Sequence, residues 1–361
     1  MTDLPRIDAQ TIVREAEELF AGASPANNSL PSAFEIKPVN DWIDQAIIEP
    51  IPKSLFGDFW FEGEVCLLYA DTNVGKSILA TQIQEAIASG RPILGVGMEA
   101  EAQKTVYFDF ELNRRQFAGR YSEREPGADF LTNPYRFSGN FLRAEFKPRI
   151  NVDLDDEELL KTSLDQAVRE TGAKVVVVDN LTYLDNEMEK AKSALPLMKF
   201  LQQGLADRYG VSILALGHTP KRDRSRPISE NDLSGSKMLL NFCDSSFVLA
   251  ESNLNPNLRY IKQIKARSVE KKYGTSNVML CMKVKEGNYL HFKFDIDGPR
   301  FSSEWKHLKD PSEGDRSDEK ARLAEEARKL KSEGLSQRDI AERLDVSPAT
   351  VNRALKSMSD D

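Results

Sequence analysis

Residues 67–77 read Leu-Leu-Tyr-Ala-Asp-Thr-Asn-Val-Gly-Lys-Ser, an apolar run that breaks into a polar turn and ends on Gly-Lys-Ser. Val65–Tyr69 has the length and apolar character of a buried strand, and Ser77–Ser89 the length and period of an amphipathic helix. A strand that turns tightly into a helix leaves the first N–H groups of that helix unpaired and convergent, a ready cradle for phosphate. The spacing is that of G-x-x-x-x-G-K-[ST], with Ala70 in place of the first glycine. In that chemistry the backbone of Ala70, Asp71, Thr72, Asn73, Val74 and Gly75 wraps the phosphates. Lys76 reaches the β/γ-phosphates and the Ser77 hydroxyl ligates Mg²⁺. Alanine keeps the first position small but constrains the turn. An ordinary strand–turn–helix with a chance Gly-Lys-Ser is the competing reading.

The surroundings support a larger pattern. Strand-sized runs at Thr105–Phe110, Lys174–Val178 and Ser212–Leu216 alternate with helix-sized stretches at Asp155–Thr171 and Lys190–Tyr209. This predicts an α/β fold, a mostly parallel sheet flanked by helices. Ser246–Ala250, Leu258–Lys265, Ser276–Val284 and Tyr289–Phe294 follow with tighter turns and are expected as antiparallel additions at one sheet edge. Asp3–Leu19 has helical spacing, Ala21–Pro38 the composition of a flexible arm, and Asp310–Asp318 that of a linker. The expected division is 1–54 as an N-terminal helix and arm, 55–309 as the α/β domain, 310–318 as linker and 319–361 as a small all-α domain.

Composition narrows the class. With 361 residues, 40% hydrophobic and 29% charged, the chain is long enough for two domains and excludes a fibrous or wholly disordered protein. Three scattered cysteines exclude a disulfide framework or a zinc cluster and fit the reducing cytoplasm. An acidic N-terminus and the lack of any apolar run of about 18 residues predict neither a secretory signal nor a membrane span. A net charge of −8 excludes a histone-like polycation but leaves local basic loops free to bind nucleic acid.

From Leu55 to about Phe294 the chain resembles the RecA-like P-loop ATPases, most of all the RepA replicative helicases and more distantly DnaB and KaiC. The resemblance implies ATP and Mg²⁺ as ligands and a fixed order of parts along the chain. Val106-Tyr107-Phe108-Asp109-Phe110-Glu111 ends in acids. Glu111 looks like the general base that polarises the attacking water; Asp109, two residues earlier and so on the same strand face, is its competitor. Val175-Val176-Val177-Val178-Asp179 resembles the Walker B strand, which brings Asp179 to Mg²⁺. Ile213-Leu214-Ala215-Leu216-Gly217-His218-Thr219 holds the family's sensor position, with His218 the candidate for reading the γ-phosphate or else a structural histidine.

Two basic segments follow. Lys221, Arg222, Arg224 and Arg226, running toward Gly235, resemble the central loops that contact DNA in RecA-like rings, although basic runs are usually solvated surface. Lys265 and Arg267 resemble the Lys-x-Arg that closes a strand in DnaB-like and KaiC-like rings and reaches the ATP of the adjacent subunit. A basic edge strand that discourages aggregation is the alternative.

Residues 334–355 read as a helix–turn–helix similar to those of resolvases and sigma factors. Ser336 and Ser347 are placed as helix caps. Ile340, Ala341, Leu344, Val346, Val351 and Leu355 form the inner face, with helix Glu319–Lys331 as a third wall. Thr350, Asn352 and Arg353 are candidates for duplex contact, a small protein-interaction bundle being the other reading. The implied function is a DNA-associated ATPase that self-associates, as a hexamer or filament, and serves as a helicase or translocase for replication or mobilisation of a mobile element. The alternative is an ATP-dependent oligomeric switch that regulates transcription. A small-molecule kinase is disfavoured because no acceptor-substrate lid is apparent.

Overall fold

Val175–Val178 offers no polar face, a pattern that suits a strand covered on both sides. In the computed structural model it lies inside a ten-stranded sheet. The structure describes residues 34–145, 156–181, 191–219, 222–232 and 236–309, and beyond these 323, 326–332, 334–344, 346–347, 350–352 and 355. The expected helix Asp3–Leu19, most of the arm Ala21–Pro38, and Lys221, Gly235, the linker Asp310–Asp318 and Arg353 lie outside the described residues.

In chain order the elements are α1 (Val39–Ile48), β1 (Ser54–Phe56), β2 (Trp60–Phe61), β3 (Val65–Ala70), α2 (Lys76–Ser89), β4 (Thr105–Asp109), α3 (Arg114–Arg120) and β5 (Phe141–Glu145). Then come α4 (Asp156–Thr171), β6 (Val175–Asp179), α5 (Ala191–Lys199, continued by π-helical turns to Asp207), β7 (Ser212–His218) and α6 (Ser236–Phe242). The core closes with β8 (Ser245–Glu251), β9 (Leu258–Lys265), β10 (Val278–Glu286), β11 (Tyr289–Lys293) and β12 (Phe301–Ser302), and α7 (Gln337–Arg343) belongs to the C-terminal segment. The fold is the expected α/β class.

The sheet order is β11-β10-β9-β8-β3-β7-β6-β4-β5, with β12 beside β10. The strands from β8 to β5 run parallel, and β9, β10, β11 and β12 are antiparallel additions at one edge. One correction follows: Ser246–Ala250, expected among the antiparallel additions, lies in β8, which pairs parallel with β3 through Cys66↔Ser245 to Tyr69↔Val248. The reason is the short α6 before it, a crossover that returns the chain in the original direction. β5 was not expected at all; its five residues are only half-buried at the outer edge and carry a weak strand pattern.

Strand alternation divides the interior into two cores. Val65, Leu67, Tyr69, Val176 and Val178 face α4 and the α5 helix, whose Leu160, Leu164, Val168, Leu197, Leu201 and Leu205 are buried there. Cys66, Leu68, Ala70, Val175 and Val177 face α2, which contributes Leu79, Ile83 and Ile87. Each such aliphatic side chain contributes about 1.5–3 kcal/mol by leaving water. The sheet is thereby clamped from both faces, and its strand ends are held in register.

The described residues form two compact units that divide after Ile51. In the first, α1 buries none of its residues, and Lys37 lies 4.7 Å over the Trp42 ring. In the C-terminal segment Ala327, Ile340, Ala341 and Val351 make a small core with Leu330, Leu335, Leu344, Val346 and Leu355 around it, as the periodicity predicted. Ser336 caps α7 in a reciprocal pair with Asp339, and Ser347 Oγ accepts from the Thr350 N–H at 3.2 Å.

Candidate nucleotide site

The register brings four strand ends level. Ala70 on β3 pairs with His218 on β7, Val178 on β6 with Ala215 on β7, and Asp109 on β4 with Asp179 on β6. In an open α/β sheet this C-terminal edge is where ligands bind. Ala70 is the last residue of its strand and needs no left-handed backbone, so alanine serves as well as glycine there. Gly75 differs. Its φ is 117°, and an added Cβ would stand 2.8 Å from Phe292 Cζ, so no other residue fits. Beyond it α2 begins at Lys76 and points its free N–H groups into the turn.

Lys76 is 6% exposed, and its ammonium donates to the Ala70 carbonyl at 3.3 Å and to His218 Nδ1 at 2.9 Å. Burial pulls this lysine below its ordinary range, against Asp179, Glu111 and Asp71, which favour its charge. Since an ammonium has no acceptor, Nδ1 of His218 accepts and the proton of the neutral ring sits on Nε2. That Nε2 lies 3.5 Å from Glu111 Oε1 and 3.0 Å from Asn180 Nδ2, and Asn180 in turn donates to Glu111 Oε1. Hydrogen bonding from His218, aided by the Lys76 charge and by Asn180, holds the Glu111 acid below the usual range despite partial burial. Glu111 therefore stands as a carboxylate at the strand edge, able to accept a proton.

Asp109 is occupied otherwise. One oxygen accepts from the N–H groups of Glu111 (3.1 Å) and Leu112 (2.8 Å), and the other pairs with Arg143 of β5 at 2.9 Å. It shapes the turn that presents Glu111, and its own side chain is fully buried. Of the two carboxylates, Glu111 is the one next to His218 and Asn180.

Asp179 is fully buried, and Tyr107 donates to its Oδ2 at 2.5 Å. Among the described residues Oδ1 has no hydrogen-bond partner of normal geometry, although the Ser77 hydroxyl lies close enough to ease its charge. Burial pushes this acid up to about 6, Ser77 and Tyr107 working in the other direction. An orphaned carboxylate oxygen beside a serine hydroxyl fits a divalent cation that also binds phosphate oxygens. No set of three His, Cys, Asp or Glu side chains able to hold a metal unaided occurs among the described residues.

The basic loop is tied to the phosphate turn. Arg224 pairs with Asp71 at 2.9 Å and with Glu251 at 3.1 Å, and the Thr219 hydroxyl donates to Asp71. Glu251 also pairs with the buried Arg259, whose Nε donates to the Val74 carbonyl at 3.2 Å. Arg226 pairs with Asp223 at 2.8 Å on the surface, and Arg222 is partly exposed. Lys265 and Arg267 lie at the opposite end of the sheet from this chain's own phosphate turn, because β9 runs antiparallel to β8. Lys265 donates to the carbonyls of Leu240 (2.5 Å), Asn241 (3.3 Å) and Cys243 (2.7 Å), and Arg267 pairs with Asp244 at 2.7 Å. In the C-terminal segment Asn352 is exposed and Thr350 half-buried.

Sequence reasoning missed Tyr107, Arg143, Asn180 and Arg259. Tyr107 lies two residues before Asp109, so alternation turns it toward the same side; Asn180 directly follows Asp179. Arg143 and Arg259 gave no signal, because their partners are remote in the chain.

Residues 31–224 match the AAA domain family, and residues 330–361 match the winged helix-turn-helix DNA-binding family. Comparison with curated protein sequences gives no significant match. Among solved structures the chain is similar to a KaiC-like protein from the hyperthermophilic archaeon Pyrococcus horikoshii OT3, at 17% identity and a TM-score of 0.42 over 64% of this chain and 90% of that one. Since the AAA domain match covers more than half of the chain and takes in the whole strand-end cluster, the chain belongs to the AAA domain family.

Proposed function

We propose that the chain hydrolyses ATP to ADP and phosphate at the strand ends of β3, β7, β6 and β4 and couples that cycle to DNA. The observation that carries this reading is the juxtaposition of Lys76, His218, Asn180 and Glu111 in one hydrogen-bonded row beside the phosphate turn. Lys76 binds the β/γ-phosphates, Glu111 takes the proton of the attacking water, and His218 reads whether Lys76 is engaged. Ser77 and Asp179 are the residues that would hold Mg²⁺, which when bound neutralises phosphate charge.

Lys265 and Arg267 act on a neighbour's nucleotide, which requires a ring or filament, a hexamer in our reading. The loop bearing Lys221, Arg222, Arg224 and Arg226 contacts single strands through their phosphates, and the tail binds duplex through Thr350, Asn352 and Arg353. The whole serves as a helicase or translocase in replication or mobilisation of a mobile element, as the RepA-like resemblance suggests. The helix–turn–helix favours a second reading, an ATP-set oligomeric switch that regulates transcription.

One experiment separates them: ATP turnover with matched single-stranded and duplex oligonucleotides, together with sedimentation in ATP. Stimulation by single strands supports the motor. Binding to duplex alone, with turnover unmoved by single strands, supports the switch. A chain that binds no nucleotide rejects both.

A further inference from the structure

We infer that Asn180 is a positioning residue for the hydrolytic step, holding the Glu111 carboxylate and setting its relation to His218. The inference rests on Glu111 being the general base. Asn180 is 2% exposed, and its amide donates to Glu111 Oε1 while standing 3.0 Å from His218 Nε2. With Nδ1 of His218 accepting from Lys76, the Nε2 proton and the Asn180 amide protons converge on the same carboxylate oxygen. Asn180 is the buried member of the three, since the His218 and Glu111 side chains are each about a third exposed.

The arrangement leaves the second Glu111 oxygen for water and couples the carboxylate to the phosphate lysine through one imidazole. When phosphate draws Lys76 away, His218 loses its Nδ1 partner, while Asn180 keeps Glu111 in place. Displacing a general base by about 1 Å is enough to cost around 10²-fold in rate. A positioning residue of this kind affects turnover and leaves nucleotide affinity alone.

The test uses the full chain with Asn180→Ala and Asn180→Asp, the second preserving size should the first fail to fold. Steady-state ATP turnover is measured beside equilibrium binding of a fluorescent ATP analogue. We expect kcat to fall at least about tenfold in both, with KM and analogue affinity within about threefold of wild type. Asn180→Asp is the slower, because a carboxylate there repels Glu111. A wild-type kcat in both variants overturns the proposal, and so do equal losses of kcat and analogue binding, which indicate a structural role. Glu111→Gln is run alongside. Wild-type turnover in Glu111→Gln rejects the base assignment itself; turnover lost there but kept in Asn180→Ala rejects only the positioning role.

Discussion

At the N-terminal ends of β3 and β8, Glu64 is 6% exposed and accepts from the Phe61 N–H (3.2 Å) and from the hydroxyls of Ser245 (2.7 Å) and Ser268. Asp244 beside it takes the Val65 N–H at 3.0 Å on one oxygen and Arg267 on the other. At the C-terminal ends of the same sheet, Asp179 keeps an oxygen without a normal partner, and Lys76 rests on a carbonyl and an imidazole while burial works against its charge. The two carboxylates at one end have each oxygen hydrogen-bonded; among the described residues Asp179 at the other end does not. Buried polar groups are nearly always satisfied in folded proteins, so an open carboxylate oxygen near a buried lysine is a place where a ligand can finish the bonding.

The contrast breaks most sharply at Glu111. Glu111→Gln should lower turnover by about 10²–10⁴-fold and leave the melting temperature and analogue binding nearly unchanged. Glu64→Ala should do the reverse, leaving three donors orphaned and lowering stability by about 2–3 kcal/mol with turnover per folded molecule preserved. Paired urea melts and turnover assays check both. A Glu64→Ala protein as stable as wild type would erase the difference between the two ends.

Arg267 is the member of the closed end with a second role to test. If its pair with Asp244 were its whole function, Arg267→Ala would cost about 1 kcal/mol or less and no turnover, since the Arg267 side chain is 58% exposed. We expect turnover to fall at least about tenfold instead. Mixing Arg267→Ala subunits with Glu111→Gln subunits should restore part of it, each supplying what the other lacks. A monomer in ATP that hydrolyses at full rate would refute this.

Asp179 gives the contrast a sign in pH. Its folded acid titrates at about 6 and its unfolded acid near 3.8, so the native state binds the extra proton between those values. The buried charge thus weakens the nucleotide-free fold increasingly as pH rises through that window, and the full penalty stands above pH 6. Asp179→Asn removes it, raising stability at pH 7.5 by an amount on the order of 1–3 kcal/mol and leaving no gain near pH 4. Thermal melts at the two pH values decide it; a destabilised Asp179→Asn at pH 7.5 would show that the carboxylate is satisfied after all.

Local pattern carried the strand–helix alternation because each of β3, β4, β6 and β7 is apolar on both faces and bounded by polar turns. It also placed Lys76, Ser77, Glu111, Asp179 and His218 at or next to strand ends and a helix start, where position along the chain fixes position in space. The direction of β8 was not legible, because α6 is a seven-residue helix with little periodicity to read. Nor was the attachment of Arg224 to Asp71, which joins residues 153 positions apart. Spacing places residues along an element; it does not say which remote partner they meet.

The smallest effect concerns the basic loop, where Arg224 and Arg226 are only two residues apart and serve different partners. Arg224 is held by Asp71 and Glu251, whereas the Arg226 side chain is 75% exposed and, among the described residues, pairs with the nearby Asp223. Arg226→Ala should weaken single-strand binding alike for all sequences and lower the salt slope by about 0.7, one phosphate contact's worth. Arg224→Ala should do the same and also raise KM for ATP a fewfold, because it frees Asp71 beside the phosphate turn. Removing residues 310–361 should leave single-strand binding and basal turnover nearly unchanged while duplex preference disappears, since the helix–turn–helix reads a groove and not an isolated strand. Fluorescence anisotropy on matched oligonucleotides over a salt series measures all three. If the tail deletion removes single-strand binding and Arg226→Ala does not, the loop is anchored scaffold throughout, and the DNA contact belongs to the tail.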